Sequence, residues 1–167
     1  MGKRVIVVGG GIAGMQTALK LSAGGVSALL LERDADLGGK LTGWHKLFPS
    51  FTPAHEVLDE LRRRLAASDV EVRARCEVAE VARDGVTLST GERLEADAVV
   101  VATGFTLFDA RIKEEYGYGI YDNVYTTVDI ERMLNEGRVA LKDGTAPRRI
   151  ACLLYTSPSP RDLSTSR

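Results

Sequence analysis

The chain has 167 residues, of which 44% are hydrophobic and 27% charged, and its formal net charge is −1. That length supports one ordinary domain with a core of its own, and a charge so near zero gives no electrostatic reason to expect nucleic acid. No apolar run reaches bilayer-spanning length, and the opening MGKRVIVVGGG is too short and too interrupted by glycine for a signal-peptide core, so the expectation is a cytoplasmic protein without a membrane span.

Residues 5–8 are an unbroken β-branched run, as a strand buried on both faces of a parallel sheet requires. Gly9, Gly11 and Gly14 then form G-x-G-x-x-G, and Ile12, Met15 and Leu19 predict a helix. Gly9 makes the tight turn, Gly11 lets the backbone approach a pyrophosphate, and Gly14 lets the helix lie close to the strand. Ile12 and Ala13 open that helix, where unpaired N–H groups and the positive dipole end favour an anion. A second apolar run over 27–31 ends in Glu32, roughly 20 residues beyond the glycines, where Rossmann-type folds place a carboxylate on the adenosine ribose. Glu32 would also repel a 2′-phosphate, which argues against an NADP-type ligand. Strand, glycines, helix, strand and acid in this order predict a dinucleotide site.

Arg33 follows the acid and is counted with the same site. Gly38 and Gly39 let a loop pass close to a cofactor, with Lys40 either approaching its phosphates or standing in solvent. The irregular stretch 42–53 carries Trp44, His45, Phe48 and Phe51; the aromatics could wall a ligand or simply pack, and a hydrogen-bonded structural role suits His45 better than a catalytic one. No metal-ligand spacing occurs anywhere. Thr52 and Pro53 predict a helix start, with Thr52 as cap and Pro53 at the first position. Val57, Leu58, Leu61 and Leu65 form its apolar face, leaving Arg62, Arg63 and Arg64 as a solvated face and His55 at the surface.

Residues 70–72 predict a third parallel strand. The runs 77–82, 86–89 and 93–95, punctuated by Asp84-Gly85 and Thr90-Gly91, predict a β-meander where a Rossmann fold would have a crossover helix. Cys76 reads as a small buried hydrophobe. Residues 97–104 predict a strand that returns to the sheet beside the first, so that Ala102, Thr103 and Gly104 open on the same crevice. Tyr116, Tyr118 and Tyr121 line a pocket or pack a loop, and a helix is expected near 128–134. The run CLLYTSPSPRD at 152–162 matches the translation of a transposase adapter used to build sequencing libraries. The expected organisation is therefore a partial FAD/NAD(P)-binding domain over 1–151 and a non-native disordered tail over 152–167, which leaves Cys76 as the one natural cysteine.

The set Gly9, Gly11, Gly14, Glu32, Gly38, Gly39 and Ala102-Thr103-Gly104 resembles the two-dinucleotide-domain flavoproteins of the glutathione-reductase type. More specifically, GGGIAGMQ at 9–16, ATGFTLFD at 102–109, EYGYG at 115–119 and DNVYTT at 122–127 resemble the A-type flavin subunit of heterodisulfide reductase and its homologues. The resemblance implies an α/β fold, a Rossmann-like FAD-binding domain with a parallel sheet and an inserted β-meander, here truncated. It implies an FAD-dependent oxidoreductase that transfers electrons between iron–sulfur centres and thiol, disulfide or nucleotide partners, within a complex of iron–sulfur or other electron-transfer subunits. It further implies 4Fe-4S clusters in parts beyond residue 151. The cofactor-binding residues are then Gly9, Gly11, Ile12, Ala13, Gly14, Glu32, Arg33, Gly38, Gly39, Lys40, Val78, Ala102, Thr103 and Gly104; catalytic residues are not assigned.

Two departures limit the resemblance: residues 42–54 lack the cysteine-bearing insertion of some members, and no C-x-x-C pair is present to act as a dithiol. A flavin desaturase or amine oxidase is a second reading, since the run 32–41 resembles those enzymes too. The span between Gly39 and Ala102 leaves no room for their large substrate domain. A non-catalytic dinucleotide-binding module is a third.

Overall fold

The computed structural model describes residues 2–152; the stretch 153–167, with most of the adapter-like run, lies outside the described residues. Strand β1 (Arg4–Val8) leads through the glycine turn into α1 (Ile12–Ala23) and back to β2 (Ser27–Leu31). A 3-10 turn (Gly39–Gly43) and a short hairpin of β3 (Lys46–Leu47) and β4 (Thr52–Pro53) precede α2 (Ala54–Ala66). Then come β5 (Glu71–Arg73), the meander of β6 (Val78–Ala82), β7 (Gly85–Leu88) and β8 (Arg93–Glu95), the returning strand β9 (Ala98–Val101), and α3 (Thr127–Asn135).

The main sheet has the order β5-β2-β1-β9, and each of its three pairings is parallel. The meander forms a separate three-stranded antiparallel sheet. Alternation along β1 explains the layers. Val5 and Val7 face α1 and α2, packing with Met15, Ala18, Leu30, Leu58, Leu61 and Leu65. Ile6 and Val8 face the meander, packing with Leu29, Leu31, Val86, Leu88 and Leu94. A strand covered on both sides has no polar face, which is why its sequence shows no alternation. Each fully buried Leu or Ile contributes about 1.5–3 kcal/mol.

The predicted elements appear with small shifts at their ends. Pro53, not Thr52, is the N-cap of α2, because Thr52 and Pro53 pair with Leu47 and Lys46 as β4 before the helix starts. Cys76 is half-buried against the meander-side core. Arg63 and Arg64 are solvated as expected. Arg62 is not: it is half-buried, and its guanidinium donates to the Leu37 carbonyl.

Register positions the site. Val8 lies opposite Leu31 on one side and Val101 on the other, so the three strands end level. The ladder runs one residue further, with Gly9 N–H donating to Leu31 O (2.8 Å), Glu32 N–H to Arg73 O (2.9 Å) and Ala102 N–H to Val8 O (2.8 Å). Gly9, Glu32 and Ala102 therefore emerge together at the carboxyl ends of the strands, where open α/β sheets bind ligands.

Candidate dinucleotide-binding site

Four glycines at this edge have different jobs. Gly9 has φ +109°, and a Cβ there would lie 2.5 Å from the Ala102 carbonyl oxygen. At Gly14 a Cβ would fall on the carbonyl oxygen of Gly9, so its absence lets α1 begin directly behind the turn. At Gly10 it would fall on the Leu37 side chain and lie 2.8 Å from Glu32 Oε2. Gly11 differs: a Cβ there would meet no atom within 4 Å. The space in front of Gly11 is open.

Gly11 is the N-cap of α1 with extended backbone and no side chain to cap the helix. The first N–H groups of a helix have no intrahelical acceptor. Ile12 and Ala13 are both exposed, and the first turn carries no acidic side chain to oppose an anion.

Glu32 is the one buried charged residue among the described residues, at 8% exposure. Its Oε2 accepts from Gly10 N–H at 2.6 Å and its Oε1 from Asp34 N–H at 2.9 Å. Each carboxylate oxygen keeps a lone pair for a further donor. Arg33 is exposed, its guanidinium 3.4 Å from the Asp34 carboxylate.

The second glycine loop is locked onto the first. Gly38 N–H donates to Gly10 O at 2.8 Å, Gly38 has φ +135°, and a Cβ on Gly39 would lie 3.3 Å from Gly11 Cα. Lys40 Nζ stands 4.7 Å over the Phe105 ring, joining this loop to the segment after Gly104. Thr103 and Gly104 are exposed at the mouth. Val78 packs its side chain into the meander-side core.

Other candidates lie elsewhere. His45 has its ring 3.2 Å from Asn135 Oδ1, and its backbone N–H donates to Glu131 at 2.6 Å, tying the loop to α3. Phe48 is 87% exposed and packs edge-on to Phe51, whereas Trp44 packs on the helix-side core. Tyr118 stacks under Arg111 and hydrogen-bonds Asp129. Burial pushes the Asp129 carboxyl up, but hydrogen bonds from Thr126 and Tyr118 and the charge of Arg132 outweigh it and hold the group below its ordinary value. Among the described residues no group of His, Cys, Asp and Glu could hold a metal ion. No helix of the described residues is long and apolar enough to cross a membrane.

Residues 3–141 match the family described as pyridine nucleotide-disulphide oxidoreductase. The chain belongs to that family. It is an FAD/NAD-binding oxidoreductase domain, α/β, with a parallel four-stranded sheet and an antiparallel meander. Within the family, it is 52% identical over 64 residues to an A-type CoB–CoM heterodisulfide reductase iron-sulfur subunit of Methanopyrus kandleri, which is 35% of this chain and 10% of that protein. It is 45% identical over 62 residues to the A-type subunit of the H2/formate:CoB-CoM heterodisulfide, ferredoxin reductase of Methanococcus maripaludis, 34% of this chain and 9% of that protein. The matched stretch thus spans about a tenth of these curated relatives. A crystal structure of a 2-methyl-3-hydroxypyridine-5-carboxylic acid oxygenase mutant shares the fold, with TM-score 0.50, 21% identity, and coverage of 59% of this chain and 39% of that one.

Three contributors to the site escape a reading of the sequence motifs. Gly10 is the x of G-x-G, and its glycine identity was the available signal. Leu37 carried none. Arg62 lies four residues after Leu58, at the border of the buried stripe, which separates it from Arg63 and Arg64.

Proposed function

We propose that this chain is the adenosine-side half of an FAD site in an electron-transfer flavoprotein akin to the A-type flavin subunit of heterodisulfide reductase. The observation that carries the reading is the double loop: the Gly38 N–H on the Gly10 carbonyl, and the Gly10 N–H on Glu32, beside a helix rim with no capping side chain. Two glycine segments meeting over one helix N-terminus suit a ligand whose diphosphate passes between them, and the buried carboxylate suits ribose hydroxyls. The residues fit the group: open space at Gly11 takes the pyrophosphate, α1 receives its charge, Glu32 takes the ribose, and Lys40 adds a cation at the mouth. Bound FAD supplies the redox chemistry. The residues of this chain bind and orient the adenosine diphosphate portion, and the exposed turn at Thr103 and Gly104 leads toward the rest of the cofactor.

Electron partners on this reading are iron–sulfur carriers and thiol or disulfide compounds, which the names of the relatives support. The span between Gly39 and β9 is filled by the short hairpin, α2 and the meander, which argues against a desaturase or amine oxidase with a separate substrate domain. Titration of the purified chain with FAD, NAD and NADP, followed by flavin fluorescence for FAD and by calorimetry for all three, is the test. FAD is expected to bind more tightly than NAD and NADP; preference for NAD overturns the assignment. Failure of the bound flavin to accept electrons from reduced ferredoxin or NADH, in a protein extended to the length of its relatives, favours the non-catalytic binding module instead.

A further inference from the structure

We propose that Arg62 is a positioning residue for the cofactor turn, acting across a single peptide group on Gly10; this deepens the FAD reading and rests on it. Among three consecutive arginines on α2, Arg63 and Arg64 are exposed and Arg62 is half-buried, with its Nη2 donating to the Leu37 carbonyl oxygen. That carbonyl belongs to the same peptide plane as the Gly38 N–H. In a trans peptide the two point in opposite directions. The oxygen is therefore held by Arg62 on one side, while the N–H is held by the Gly10 carbonyl at 2.8 Å on the other.

Neighbouring groups give this peptide partial support: the Gly38 carbonyl accepts from Leu41 N–H at 3.1 Å, and the Leu37 side chain packs on the helix-side core. Gly38 at φ +135° has the freedom of a glycine, and the segment Asp34–Asp36 beside it is exposed. A charged donor polarises the peptide it binds, which strengthens the hydrogen bond at its far end. The path then continues through Gly10, whose N–H donates to Glu32 at 2.6 Å and whose missing Cβ leaves room for the Leu37 side chain. Arg62 thus sets the peptide that sets the turn. Arg62 also lines a cavity with Asp34, Asp36, Gly39 and Thr42, and the salt dependence of its variants separates a direct ligand contact there from an effect through Gly38 and Gly10.

The experiment compares the chain with its Arg62→Met, Arg62→Lys and Arg64→Met variants. FAD affinity is read by fluorescence titration at low and high salt, and amide exchange of Gly38 is read without FAD. Arg62→Met is expected to weaken FAD binding about tenfold at both salt concentrations and to speed exchange at Gly38 while α2 keeps its protection. Arg62→Lys is expected to recover most of both, and Arg64→Met, with the same loss of charge, to change neither. Unaltered affinity and Gly38 exchange in Arg62→Met overturn the proposal. So does a loss of affinity that vanishes at high salt, which marks a direct contact with phosphate, or a loss that accompanies unprotected amides throughout α2, which marks general destabilisation. If the unmodified chain takes up no FAD, the functional reading fails, and Gly38 exchange alone then decides whether Arg62 holds the loop.

Discussion

The carboxylate of Glu32 accepts the Gly10 N–H at 2.6 Å, so the residue expected to read the ribose also fastens the turn expected to hold the pyrophosphate. One side chain thereby couples two parts of a single ligand site. Glu32→Gln keeps a carbonyl acceptor but loses the charge, and an amide group must then be accommodated against backbone donors. We expect it to weaken FAD binding by about 2 kcal/mol and to lower the melting temperature of the ligand-free chain as well. Lost affinity with an unchanged melting temperature would show that the Gly10 contact contributes nothing to the fold.

Gly14 and Gly11 should respond in opposite ways to one added methyl group. Gly14→Ala places a carbon on the Gly9 carbonyl oxygen and is expected to cost about 1–3 kcal/mol of stability, read by denaturant unfolding. Gly11→Ala meets no protein atom and has φ −74°, which alanine adopts freely. It should leave stability within about 0.5 kcal/mol of the parent and still reduce FAD affinity, with Gly11→Val worse. Full affinity in Gly11→Val would remove the pyrophosphate from this turn.

Asp129 gives an acid dependence whose sign is fixed. Its carboxyl is held below the ordinary value of 3.8, so the unfolded chain takes up the proton first as pH falls. The stabilisation is complete above that value and is lost as pH falls through the folded-state value. Asp129 also closes the capping box of α3 with Thr126. Asp129→Asn should therefore cost about 1 kcal/mol near neutral pH and flatten the fall in stability below pH 3.8. Parallel unfolding curves for both proteins from neutral pH downward would show that the carboxyl is not coupled to folding.

Strand β9 pairs with β1 alone among the described strands, and Val101 at its end is 60% exposed. An edge with free backbone groups and an apolar side chain invites association. Concentration-dependent elution from a sizing column is expected for the chain, and Val101→Lys should reduce it. A monomer at all concentrations would count against this expectation.

Much of this arrangement was legible because its causes are local. The all-apolar run before Gly9 has no hydrophilic face to offer solvent, and Asp84-Gly85 has little to do but turn, so sheet and meander could be placed from residues alone. Thr52 and Pro53 were misplaced by one position because a two-residue strand pairing, decided by Lys46 and Leu47, competes with the local preference for a helix start. Arg62 departs from the solvated face that its position predicts for a similar reason. Its partner, a backbone carbonyl 25 positions earlier, is not a property of any residue type. What periodicity could say was limited to nearness to the buried stripe.

The level ends of β1, β2 and β9 carry a consequence for how such a domain can vary. A residue deleted from β9 would shift the strand by about 3.3 Å and exchange its two faces, turning Val99 away from the meander and Val100 away from the helices. Ala102, Thr103 and Gly104 would then meet the Gly9 turn one step out of line. Substitution of one apolar residue for another in the same strand disturbs none of this. The binding edge is thus specified by counting rather than by spelling: drift in these strands is cheap in letters and costly in length. Insertions belong at turns such as Gly91, where an added atom would meet open space.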